Sequence, residues 1–150
     1  MTKALWLNFL AIMTLGLALA APAQALVGHW SGTGTIKDSK NLFTGDCSRL
    51  EVKTERTERQ FILKAFVYKC GLFDSDWIGL VFDVRDGKLY DPEEGTEMGK
   101  ISDDEVLLVY QGSMLETLSL VRGSSNSLKV DFNTRNLVGN IQIRGELSPQ

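Results

Sequence analysis

The sequence predicts an all-β protein, a single antiparallel up-and-down β-barrel of about 8–10 strands, with a β-sandwich as the alternative. After residue 25 no stretch carries the period of an amphipathic helix. Short runs of alternating apolar and polar residues follow one another instead, parted by clusters of Gly, Asn, Asp and Ser that suit turns. The connections are too short for crossover helices, so the strands form a meander, and closing it removes the edges that an open meander exposes.

The chain of 150 residues opens as an export leader. Lys3 supplies a positive start, Ala4 to Ala20 carry no charge, and Ala23-Gln24-Ala25 fits a small-x-small cleavage site. A membrane anchor would need a comparable apolar length, but Pro22 ends this one and no basic cluster follows. Residues 1–25 are thus expected to be a signal peptide cleaved after Ala25, leaving residues 26–150 as one domain with no membrane span, periplasmic or secreted.

Within that domain the first strand runs from Gly28 to Ile36, with Trp30, Gly32, Gly34 and Ile36 on one face. Residues 47–56 and 60–70 read as a hairpin around Thr57-Glu58-Arg59. Trp77 to Val84 follows, then Asp86-Gly87 turns the chain into Lys88-Leu89-Tyr90, and Asp91-Pro92-Glu93-Glu94-Gly95 into Met98 to Ile101. Val106 to Tyr110, Leu115 to Val121, Leu128 to Phe132 and Val138 to Leu147 complete the set.

Two cysteines, Cys47 and Cys70, lie in the exported part, where an oxidising compartment favours a disulfide. A tight turn centred between Glu58 and Arg59 sets them directly opposite, at the Cα spacing of about 4.5–5.5 Å that a disulfide tolerates. The same register places Leu50 opposite Val67, Val52 opposite Ala65 and Thr54 opposite Leu63 as an apolar face, with the cysteines on the other face. Closing that loop is worth roughly 3 kcal/mol.

Lys3 is the only charge in the leader, so the mature chain keeps 15 of the 16 basic residues against 19 acidic ones, a balance of −4. The charges are interspersed, as in Glu51-Val52-Lys53-Thr54-Glu55-Arg56, without the basic stripe of a nucleic-acid or anionic-membrane binder. No nucleophile elbow, phosphate loop or metal-ligand spacing stands out, and the acidic groups fall in turns. No catalytic residue, metal or cofactor is therefore expected.

The opening Gly28-His29-Trp30-Ser31-Gly32-Thr33-Gly34 resembles the calycin superfamily, and its longer spelling resembles the nitrobindin-type, lipocalin-like barrels. The resemblance implies a barrel with Trp30 closing one end, beneath a basic residue for which Arg144 and Arg122 are the candidates. Haem-binding members use a late His as the iron ligand. Here the single His is His29, on the face opposite Trp30, so haem binding is not implied.

These observations lead to a small exported binding protein that holds an apolar ligand. Trp30, Phe61, Leu63, Phe82, Leu108, Tyr110, Leu120 and Phe132 are the candidate pocket residues. The alternative is an interaction module, an inhibitor or envelope-complex subunit, with a filled core and an exposed hairpin face of Ile62, Phe66 and Tyr68.

Overall fold

The computed structural model describes residues 26–40, 42–135 and 139–150. The expected signal peptide and Val138, placed at the start of the last strand, lie outside them. Ten strands run in order: β1 (Gly28–Asp38), β2 (Thr44–Arg56), β3 (Gln60–Cys70), β4 (Phe73–Arg85), β5 (Lys88–Tyr90), β6 (Glu97–Ile101), β7 (Glu105–Gln111), β8 (Leu115–Arg122), β9 (Leu128–Arg135) and β10 (Asn140–Pro149). Each pairs antiparallel with its sequence neighbours, and β1 pairs β10, so one sheet closes into an up-and-down barrel. A 3-10 turn, Ser124–Asn126, links β8 to β9. Among the described residues no helix is long and apolar enough to cross a membrane.

Alternation drives the inside–outside split. Leu118 and Leu120 of β8, Leu128, Val130 and Phe132 of β9, and Ile143 and Leu147 of β10 are all buried. The glycines of the opening motif serve this packing. A Cβ on Gly34 would lie 2.3 Å from the Arg144 carbonyl and 2.4 Å from Leu50, and one on Gly32 would lie 3.1 Å from Leu147. Leu50 and Leu147 therefore occupy room that only Gly leaves at the β1–β10 seam.

The β2–β3 hairpin departs from the expected register. The predicted pairing holds at the turn, with Thr54 opposite Leu63, but a bulge follows and Lys53 pairs Ala65, leaving Lys64 as the extra residue. Beyond it Leu50 faces Tyr68 and Val52 faces Phe66. The extra residue turns every later side chain of β3 to the opposite face. Phe66 thus points inward and is 0 % exposed, Tyr68 packs against the core, and Ile62 stays outward and half-buried. The expected exposed face of Ile62, Phe66 and Tyr68 does not form.

A second irregularity, between Gly32 and Gly34 of β1, puts an extra residue into β2 and turns Cys47 inward. Cys47 and Cys70 are joined by a disulfide inside the core, not on the outer face as expected. Arg144 lies outside, held by Asp131 at 2.7 Å, so it does not cover Trp30, whereas Arg122 pairs with Leu128 at the end of β8 and has Asp104 at 3.7 Å.

Candidate functional site

The wall is complete around most of the ring but not between β4 and β7. The cause is local. The Asp91 carboxylate accepts the backbone N–H groups of Glu93 and Glu94, each at 2.8 Å, and the Gly95 N–H closes back on the Asp91 carbonyl at 2.9 Å. Pro92 and the left-handed Gly95 (φ +68°) suit this tight reversal. The turn ends the β5–β6 hairpin halfway along the barrel. β5 reaches only residues 83–85 of β4, and β6 only residues 106–108 of β7.

Over the remaining half, β4 has β3 as its sole neighbour and β7 has β8. A slot opens there into the barrel, with a cavity of about 390 Å³. Its lining consists of Asp76, Trp77, Ile78, Leu80 and Phe82 from β4, Met98 from β6, Leu108, Val109 and Tyr110 from β7, and Glu116 from β8.

Opposite the slot the interior is solid. Phe66, Trp77 and Phe132 meet with ring centroids 5.3–5.9 Å apart, and Tyr68 lies 5.6 Å from Phe132. Such tilted and edge-on contacts each add to the burial of the rings. Trp77 therefore belongs both to the packed interior and to the slot wall. At Ile78–Gly79 the inward–outward order of the β4 side chains changes although the register with β3 is unbroken: Gly79 takes φ +71°, Ile78 is 66 % exposed and Leu80 is exposed too, while Phe82 is buried.

Of the expected pocket residues, Phe82, Leu108 and Tyr110 line the slot. Trp30, Phe61, Leu63, Leu120 and Phe132 are buried in the filled part of the barrel. Trp77, Met98, Val109 and Glu116 were not among the candidates. Alternation along Trp77 to Val84 sets Ile78, Leu80, Phe82 and Val84 on one face, yet Ile78 and Leu80 are exposed at the slot. The sequence signal for all of them was the brevity of the Lys88–Tyr90 and Met98–Ile101 runs beside much longer neighbours.

Two carboxylates belong to the slot. Glu116 alternates with the buried Leu118 and Leu120 and pairs with Tyr110 and Thr134 across the sheet. Burial pushes its carboxyl above the usual range. Burial also raises the Tyr68 phenol, opposed by its hydrogen bond with Ser75 and aided by the nearby Glu116 charge. Asp76 reaches the rim from the outer face, where Arg49 and Lys69 are close.

The other concentration of charge lies on the outer wall. Glu51, between the inward Leu50 and Val52, is ringed by Arg49, by Lys53 at 3.1 Å and by His29 Nε2 at 3.0 Å. The His29 contact is out of line for a hydrogen bond. Arg49 first, then Lys53, hold the Glu51 carboxyl down at about 2 despite its burial. Among the described residues no group of His, Cys, Asp and Glu is arranged to hold a metal ion. No protein-family model, curated protein or solved structure matches the chain.

Proposed function

We propose that the protein is an exported carrier that holds a small apolar molecule in the slot between β4 and β7. The observation that carries this is the slot itself: an apolar cavity of about 390 Å³ entering a barrel that is elsewhere filled. Sites for small ligands commonly occupy roughly 300–1,000 Å³ and combine apolar walls with a few polar groups. Trp77, Leu80, Phe82, Met98 and Leu108 supply such walls, and Tyr110 and Glu116 the polar groups. The disulfide fits an oxidising compartment, and the leader as read would deliver the chain there. The likeness of the Gly28–Gly34 opening to lipocalin-like barrels points to the same class of activity. An interaction module built on Ile62, Phe66 and Tyr68 loses its support because Phe66 is buried.

The test is native mass spectrometry of the mature protein, purified without detergent and offered dodecanol. A one-to-one adduct is expected. Leu80→Trp places an indole across the mouth of the slot and should abolish the adduct while leaving the circular dichroism spectrum and Tm near those of the parent. No adduct with the parent, or an equal adduct with a folded Leu80→Trp, overturns the proposal.

A further inference from the structure

We propose that the ligand is a cationic amphiphile, an apolar chain ending in a protonated amine or quaternary ammonium; this rests on the carrier function proposed above. The slot has a polarity gradient along its length. Phe82, Met98 and Leu108 lie toward the middle of the barrel, where β5 and β6 resume the wall. Asp76, Tyr110 and Glu116 lie toward the end where β7 turns into β8. A ligand matching both ends needs an apolar body and a polar head in that order.

The sign of the head follows from the charges present. The charged residues in the slot lining are both acidic, and no Lys, Arg or His joins them. Asp76 shares its outer face with Arg49 and Lys69, so Glu116 carries the assignment. Glu116 projects inward from β8, and it takes part in none of the ion pairs among the described residues. Burial disfavours its charged form, with no cation to restore it. A ligand ammonium would supply that cation.

The aromatic rings agree. Trp77 and Tyr110 stand on the two sides of the slot, and an ammonium near their faces gains from the ring quadrupoles. A carboxylate head would meet Glu116 as a like charge and face no donor cation in the lining. An alkyl carboxylate is therefore disfavoured although its chain would fit equally well.

The test compares three probes of one chain length, each below its micelle concentration: dodecyltrimethylammonium, dodecanol and dodecanoate. Binding to the mature protein is measured by isothermal titration calorimetry at pH 7 in low salt. The ammonium should bind roughly tenfold tighter than the alcohol, and dodecanoate weaker than both. In Glu116→Gln the ammonium and the alcohol should bind alike. The trimethylammonium group does not titrate, so its advantage over the alcohol should shrink as pH falls through the Glu116 titration. Equal binding of the three probes by the parent, or a full ammonium preference in Glu116→Gln, overturns the cationic assignment while the carrier proposal stands. No binding of any probe overturns both.

Discussion

Replacing Glu51 with Gln removes one charge and leaves the shape of the side chain nearly unchanged, so its effect reads the electrostatics of the outer cluster directly. The Glu51 side chain is 11 % exposed, while its partners Arg49 and Lys53 are 58 % and 44 % exposed. A carboxyl held at about 2 against an ordinary 4.5 would contribute roughly 3 kcal/mol at full value. Solvent screening at the exposed Arg49 and Lys53 reduces this to about 1–2 kcal/mol. The sign follows from the depressed value. The contribution is complete above the ordinary 4.5 and is lost as pH falls from there through about 2. Thermal melts of the parent and Glu51→Gln at pH 7 should therefore differ by roughly 4–8 °C. The gap should close between pH 4.5 and pH 2, and high salt should narrow it at pH 7. A gap that persists unchanged at pH 2, or no gap at pH 7, would refute the electrostatic account.

The disulfide and the buried β3 aromatic yield two more expectations. Cys47→Ala/Cys70→Ala opens a link between residues separated by 23 in sequence; this should cost roughly 3 kcal/mol and lower Tm by about 10 °C in calorimetry. Hydrogen exchange should accelerate first in residues 73–80 of β4, and a uniform acceleration across the barrel would contradict that local role. Phe66→Ala should destabilise the fold by roughly 3–5 kcal/mol in urea unfolding, as a core truncation does; a loss within about 0.5 kcal/mol, as on a surface, would restore the outward placement.

The ring of strands was legible because one-sided burial leaves a period of two in every long run. Leu118 and Leu120, or Leu128, Val130 and Phe132, identify their inner face by alternation alone. The hairpin that holds the cysteines was legible in its turn and its link but not in its faces. One extra residue at Lys64 and another in β2 opposite Gly32–Gly34 invert the side chains beyond them. Bulges carry no composition signature when the bulged residue is not Gly, so Phe66 and Tyr68 read as outward. The slot was missed for a different reason. Alternation identifies which side chains point inward, whereas an opening depends on which strands lack a neighbour. That follows from the length of β5 and β6 relative to β4 and β7, a comparison across elements far apart in the chain.

The unpaired half of β4 raises the question of why the slot neither collapses nor recruits another chain. A free strand edge is a template for further pairing. Here Asp74 and Asp76 place charges along that edge, and the left-handed Gly79 (φ +71°) interrupts its extended backbone. The groups left unpaired face the slot mouth, where water satisfies them, so the edge carries no large desolvation cost. Support comes from the opposite side. In this half β4 leans on β3 alone, and the C-terminal end of β3, opposite Phe73, is fastened to β2 by the Cys47–Cys70 disulfide. Phe66 of β3 and Phe132 of β9 hold Trp77 against the filled interior. The ends of the barrel differ in keeping with this. The turns at Thr57–Arg59, Asp86–Gly87 and Ser102–Asp104 are polar, whereas Leu42, Leu72 and Met114 are exposed at the end toward which the slot opens. The closed half and the disulfide thus carry the stability, which leaves the wall between β4 and β7 free to stay incomplete.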